Sequence, residues 1–298
     1  MNAALRRDGA GHEPGWRPVV PVGGATEVMT VRRTPDTGVD GPVEDHSYGL
    51  FAPQSVTWRV HADPLLGLAA LRSLTLRCLH PAGVATVLAT ARDGDEPWDR
   101  LARTLRYVGV TTFGETVEAF MAAARLRSVH AQVEGVADGG RYRGDDTDVL
   151  RWMHCCQVSS FLEVVHRGGL ALTPAEQDRY VDEQVRVATL LGLEPEDVPR
   201  DRAGLARYLR RMRPHLALTP GARRFVAAVV RPPLPDVMSM LNPSRPVWAP
   251  VAGLAFAALP SWARRLYDLP FRSGPAALTP AATTVALHSL RESLLDPG

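Results

Sequence analysis

One stretch of the chain combines charged, hydroxyl and phenolic side chains at helical spacing. Arg103, Thr104 and Tyr107 lie three, four and seven residues after Arg100, so the four side chains share one face of a helix. A guanidinium stays protonated and offers a planar set of donors that suits carboxylates, and the threonine hydroxyl beside it can hydrogen-bond a bound oxygen ligand. The pattern indicates either a donor-rich face turned into a cavity or an ordinary solvated face opposite an apolar stripe.

A histidine near the end of a later helical segment is the second candidate. His130 lies at the edge of an apolar face, and Gly135 beyond it has no side chain and lets another group approach closely. A neutral imidazole in this position can bind iron through one nitrogen while a hydrogen-bond acceptor holds the other. The alternative is a core histidine that is hydrogen-bonded to the backbone.

A third candidate lies on a segment that is apolar on most sides. Trp152 and His154 fall in this segment, which is typical of a buried helix, so His154 needs a polar partner. Cys155 and Cys156 follow directly. Because consecutive helical positions point about 100° apart, the three side chains cannot converge on one ion, and we expect no structural zinc site here.

The composition argues against several classes of function. A formal net charge of +2 gives no reason to expect nucleic acid as a partner. All 34 basic residues are arginine, which removes lysine-based catalysis. The three cysteines include no Cys-x-x-Cys pair, so we expect reduced thiols in a cytoplasmic protein.

No apolar stretch is long enough to span a bilayer. The longest runs from Val247 to Pro260 and falls short of the roughly 20 residues that a membrane helix needs. No apolar segment of the signal-peptide type follows Arg6 and Arg7. We therefore expect no transmembrane segment, and a peripheral membrane contact stays open.

The candidate residues are expected to be positioned by helices. Residues 1–48 are rich in glycine, proline and charge and predict an extended or disordered N-terminal arm. Helices are expected over about 97–113, 115–136 and 146–167, and Pro81 should kink or split an earlier helix over 65–91.

The remainder of the chain continues this pattern. Thr173, Thr219 and Thr279 each precede a proline and predict helix starts. Residues 231–250 hold many prolines and predict a mostly irregular connection. Together these elements predict an all-α single domain over 49–298, with about nine to eleven helices.

The order and spacing of several weak motifs resemble a known family. From about Asp63 to about Phe271 the chain resembles the mpaB-type oxygenases and the catalytic domain of rubber oxygenases (latex-clearing proteins). The motifs are Leu79-His80-Pro81, Arg100-x-x-Arg103-Thr104, His130-x-x-Val133-x-Gly135, Tyr142-x-x-Asp145, Leu150-x-Trp152-x-His154, Leu172-Thr173 with Tyr180 and Glu183, Leu191-Gly192-Leu193, and Pro199.

The resemblance implies an all-α fold around a buried pocket for haem b. His130 would be the axial ligand of the haem iron. Arg100 and Thr104 would line the pocket and act with Arg103 in catalysis, and the remaining pocket residues would be Tyr107, Trp152 and His154.

Two positions depart from the rubber oxygenases. Arg103 stands where those enzymes have a lysine able to cap the iron, and arginine is a far poorer ligand, which implies an open or water-bound sixth site. The stretch around Val84 is apolar and offers no counterpart to the acidic base that some of them use. Rubber is therefore not supported as the substrate.

These observations favour a haem-dependent oxygenase that cleaves or hydroxylates an apolar small molecule with O₂ or a peroxide. One alternative is a non-catalytic haem carrier or sensor. Another is a helical protein without haem that binds a lipid or a partner helix. The substrate, the electron donor and the oligomeric state are open at this point.

Overall fold

The computed structural model describes residues 49–90, 97–137, 140–230, 245–267 and 278–296. All of them fall in one compact unit. The predicted arm over residues 1–48 lies outside the described residues. Residues 231–244 of the predicted irregular connection also lie outside them. The rest of that connection differs from the prediction, because a helix already begins at Arg245 and contains Pro250.

Helices form almost all of the regular structure, so the predicted all-α fold is confirmed. The described helices are α1 (Val56–His61), α2 (Leu66–Arg77), α3 (Pro81–Ala89), α4 (Pro97–Phe113), α5 (Thr116–Ala131), α6 (Thr147–Arg167), α7 (Pro174–Glu183), α8 (Val185–Leu190), α9 (Arg202–Met212), α10 (Pro220–Val230), α11 (Arg245–Ala257), α12 (Ser261–Tyr267) and α13 (Pro280–Leu295). They outnumber the predicted nine to eleven because several are only one or two turns long.

The predicted helix starts are confirmed by their caps. The hydroxyls of Thr173, Thr219 and Thr279 each accept a hydrogen bond from the backbone N–H three residues later, at 3.1–3.2 Å. α2 ends at Arg77, and His80 caps the start of α3, because its Nδ1 accepts a hydrogen bond from the N–H of Gly83 at 3.2 Å. The predicted break at Pro81 therefore separates α2 from α3.

The core is built on two helices that are buried on most sides. α2 packs along α6 and also contacts α11. Trp152 and Phe161 of α6 are fully buried, and so are Leu74 and Leu76 of α2. Each large apolar side chain buried in this way stabilises the fold by about 1.5–3 kcal/mol. The contact between α2 and α6 is therefore a main source of the stability of the core.

A short hairpin corrects one prediction. α5 ends at Ala131 instead of near residue 136, and the chain continues as β1 (Glu134–Ala137) paired antiparallel with β2 (Gly140–Arg143). Gly135 faces Tyr142 across the hairpin, and a Cβ at Gly135 would lie 2.9 Å from the tyrosine ring. Only a residue without a Cβ leaves room for the Tyr142 ring at this position of the hairpin.

None of the described helices is long and apolar enough to cross a bilayer.

Candidate functional site

The antiparallel helices α4 and α5 bring the two main candidates, Arg100 and His130, near the same end of the pair. The helices contact each other and are joined by a short turn at Gly114. Arg100 precedes this turn and His130 follows it by similar numbers of residues, so they lie near the same end of the antiparallel pair. The charge of Arg100 lowers the pKa of His130, which places the guanidinium within electrostatic reach of the imidazole.

His130 is buried and incompletely hydrogen-bonded. The residue is 7% exposed, and its Nδ1 is enclosed with no hydrogen-bond partner among the described residues. Burial, followed by the charges of Arg100 and Arg77, lowers the pKa of His130 to about 4, while Asp145 acts in the opposite direction. The imidazole is therefore neutral at neutral pH, which is the form that binds a metal ion.

The structure gives Arg100 and Thr104 contacts with the backbone. Arg100 Nη1 donates to the carbonyl oxygen of Val87 at 2.9 Å and to Oγ1 of Thr90 at 2.6 Å, both at the C-terminal end of α3. A cation at a helix C-terminus is favourable because the terminal carbonyls carry negative partial charge. Thr104 Oγ1 donates to the carbonyl oxygen of Arg100 at 3.0 Å, which leaves its oxygen lone pairs able to accept. Their place in a cofactor pocket stays a prediction.

Arg103 and Tyr107 follow on the same helix, and both are half-buried. The hydroxyl oxygen of Tyr107 is enclosed and has no hydrogen-bond partner within the described ranges. Burial raises the pKa of Tyr107 well above its usual value, so the phenol keeps its proton and stays a donor. The α4–α5 pair thus holds two enclosed polar atoms, on Tyr107 and His130, that the described protein does not satisfy.

Trp152 and His154 lie deeper in the core. Trp152 is fully buried, and its indole N–H donates to the carbonyl oxygen of Arg77 at 3.1 Å. Burial and the charge of Arg77 lower the pKa of His154 to about 3. The hollow beside His154 has no room for a water molecule, so it cannot hold a tetrapyrrole; it is lined by His154, Cys155, Val158, Val181, Val198, Pro199 and Leu205. Cofactor binding by Trp152 and His154 stays a prediction.

The comparison with known families agrees with these observations. Residues 58–290 match the family described as "ER-bound oxygenase mpaB/B'/Rubber oxygenase, catalytic domain". The chain belongs to this family. No curated protein and no solved structure matches it.

The donor set of this mpaB/rubber oxygenase domain fits a metal-bearing, anionic cofactor. In the described part of the chain, no group of three or more His, Cys, Asp or Glu side chains could hold a bare metal ion. The neutral imidazole of His130 could supply one ligand to a metal that carries its other ligands with it, as iron does in a porphyrin. The guanidinium groups of Arg100 and Arg77 supply positive charge near this imidazole.

Sequence reasoning missed two buried arginines of the mpaB/rubber oxygenase domain. Arg72 and Arg77 both lie on α2 and are 3% and 8% exposed. Arg77 acts electrostatically on both His130 and His154. The available signal was the presence of two arginines in the apolar run of α2, but the long side chain of an arginine in such a run usually carries its guanidinium to solvent.

Proposed function

We propose that this chain is a haem b-dependent oxygenase that acts on an apolar small molecule. Its membership of an oxygenase family supports the reaction class. The observation that carries the cofactor assignment is the enclosed Nδ1 of the neutral His130, which has no hydrogen-bond partner in the described residues. Leaving a buried polar atom unpaired typically costs about 1–3 kcal/mol, so an atom of this kind indicates a missing partner.

Each candidate residue has a role in this proposal. His130 would hold the iron, and haem would supply the site at which O₂ or a peroxide is activated. The protonated phenol of Tyr107 would donate to a bound polar group, and Arg100 would add positive charge. Thr104 keeps acceptor capacity, and Arg103 adds a second fixed cation on the same helix.

The cytoplasmic location is part of the same proposal. Cys78, Cys155 and Cys156 are free and buried, and burial raises their pKa values, so they are unreactive thiols. Free thiols are typical of a reducing compartment.

The absorption spectrum of protein produced with a haem supplement tests the cofactor. We expect a Soret band that His130→Ala removes and that the exposed-histidine control His166→Ala keeps. In His130→Gly, added imidazole should restore the band, because the free ligand can occupy the space of the missing ring. Wild-type protein that is folded, colourless and unable to take up haemin would contradict the proposal.

One observation favours a second function, a haem-binding carrier or sensor without turnover. Val84 lies on α3 and is 2% exposed, so the apolar stretch that offers no counterpart to the acidic base contributes to the packed core. Oxygen consumption by the haem-loaded protein separates the two functions. Uptake stimulated by members of an apolar substrate panel supports the oxygenase, and haem binding without uptake supports the carrier.

A further inference from the structure

Arg77 is a buried cation whose hydrogen bonds go to neutral groups. It is the last residue of α2 and is 8% exposed. Its Nε donates to the carbonyl oxygen of Met153 at 2.9 Å, and its Nη2 donates to Oε1 of Gln157 at 2.6 Å. Its third nitrogen, Nη1, makes no hydrogen bond within the described residues. One donor group of a buried guanidinium is therefore still available.

The charge of Arg77 also lacks a carboxylate in the described part of the chain. The favourable electrostatic partners of Arg77 are the thiols of Cys156 and Cys78, and burial raises the pKa values of both thiols, so neither is charged at neutral pH. A buried ion without a counter-ion is expensive, because it has lost its hydration without gaining an opposite charge. A ligand that carries a negative charge would supply the partner that the described residues lack.

Arg72 provides an internal reference, since it lies on the same helix and is buried to a similar extent. Its guanidinium donates to the carbonyl oxygen of Ala258 at 2.9 Å and to Oγ of Ser160 at 2.7 Å. Unlike Arg77, it has a carboxylate within electrostatic reach, on Glu163. Burial lowers the pKa of each arginine to about 10, so both remain protonated at neutral pH. The two arginines differ in whether the protein supplies the opposite charge.

The position of Arg77 connects it to the candidate site. Its carbonyl oxygen accepts hydrogen bonds from the indole of Trp152 and from the N–H of His80, which fixes the end of α2 against α6 and α3. Its guanidinium acts electrostatically on His130 and His154, whereas Arg72 is not a cause of the pKa shift of either histidine. The guanidinium of Arg77 thus lies within electrostatic reach of His130.

We propose that Arg77 is the counter-charge for a carboxylate of the bound cofactor, so that the tetrapyrrole is held by a buried guanidinium of α2 as well as by His130. This inference rests on the proposed haem binding. The inference assigns the contact with the cofactor carboxylate to a residue of α2, and not to the polar face of α4 that runs from Arg100 to Tyr107. Arg100 has its Nη1 engaged by the end of α3, whereas Nη1 of Arg77 is available.

Titration with haemin and with haemin dimethyl ester tests the contact, because the ester keeps the iron and the ring but has no carboxylates. The Soret band gives both dissociation constants for the wild type, Arg77→Gln, Arg77→Lys and the matched control Arg72→Gln. The ratio of the two constants within one variant is independent of the fraction of protein that is folded. Any general damage to the fold by the substitution therefore cancels.

We expect Arg77→Gln to weaken haemin binding by about 10- to 100-fold, the range of a lost charge-assisted hydrogen bond. Binding of the ester should change by less than about twofold, because it has no carboxylate to lose. Arg77→Lys should fall between, since it keeps the charge without the planar fork. Arg72→Gln should leave the ratio at its wild-type value.

Three results would overturn the inference. Equal weakening of both ligands would assign Arg77 a purely structural role, and no weakening of either would assign its free donor to a carboxylate of the substrate or to solvent. A shift of the ratio in Arg72→Gln as large as in Arg77→Gln would remove the distinction between the arginines. Wild-type protein that binds neither ligand would instead refute the proposed function itself.

Discussion

Two buried histidines lie near opposite ends of α4 and are equally cut off from solvent. His61 of α1 is 4% exposed, and His130 of α5 is 7% exposed. Burial is the main cause of a lowered pKa in both, to about 3 for His61 and about 4 for His130. Each imidazole is therefore neutral at neutral pH, and neither burial nor charge state distinguishes a structural histidine from a functional one.

Their hydrogen bonds do distinguish them. Nδ1 of His61 lies 2.7 Å from Oγ1 of Thr112, and its Nε2 lies 3.1 Å from the hydroxyl of Tyr180, so both ring nitrogens are satisfied. Nδ1 of His130 is enclosed without a partner in the described residues. The described residues complete the environment of the His61 ring, whereas they leave Nδ1 of His130 without the partner that the proposed ligand would supply.

The largest expected effect is on haem affinity. His130→Ala should weaken haemin binding by more than about 100-fold, because an axial iron ligand is lost. His61→Gln should weaken it by less than about threefold, since the His61 ring is already satisfied within the protein. Soret titration of both variants checks this, and similar losses in the two would erase the contrast between the histidines.

The second effect is on stability without haem. His61→Ala should lower the free energy of unfolding by about 2–4 kcal/mol, because Thr112 and Tyr180 lose their buried partner. His130→Ala should cost less than His61→Ala, since it leaves a cavity but breaks no described hydrogen bond of the imidazole. Urea unfolding of the apoproteins measures both. A larger loss in His130→Ala than in His61→Ala would contradict the assignment of roles.

The third effect is a dependence of stability on pH. The pKa of His61 is about 3 in the folded protein and about 6.5 when unfolded, so between these values the unfolded state binds the extra proton. The stability linked to His61 is fully present above pH 6.5 and is lost on acidification, by at most about 1.4 kcal/mol per pH unit.

Urea unfolding between pH 4.5 and 7.5 measures this slope. His61→Gln cannot titrate, so its stability should fall less steeply with acid than that of the wild type. Parallel slopes for His61→Gln and the wild type would mean that His61 titrates normally.

The smallest effect concerns two tyrosines. Tyr180→Phe removes the hydroxyl that pairs with His61 and should destabilise the apoprotein by about 1 kcal/mol. Tyr107→Phe removes a hydroxyl that has no partner in the described chain, so stability should stay constant or rise by up to about 1 kcal/mol. Thermal melts of the two variants give the comparison, and a destabilised Tyr107→Phe would reveal a partner for that hydroxyl.

Local chemistry explains why much of the fold could be predicted. The helix over Pro97–Phe113 and the caps at Thr173, Thr219 and Thr279 were predicted correctly, because propensity, proline and capping act over a few residues. The end of α5 was not predicted correctly. It depends on the pairing of β1 with β2, which places Gly135 opposite Tyr142, and this pairing is not visible in helical periodicity.

The candidate site was only partly predictable for the same reason. The type and helical phase of Arg100, Thr104 and His130 are properties of the sequence, and so is the family resemblance that they support. The hydrogen bonds of each guanidinium depend on residues of other helices that the sequence pattern does not identify. Arg100 meets the end of α3, and Arg77 meets Met153 and Gln157 of α6.

The sequence by itself therefore determined most of the helices, their order and the residue types able to bind iron, because these follow from interactions within a few residues. Only the tertiary structure decided which buried polar groups are satisfied. His61 and His130 are equivalent as residue types, and their difference arises from residues that are distant in sequence and that packing brings to one ring but not to the other. Hydrogen bonding is short-ranged, so its completeness depends on where the helices finally lie.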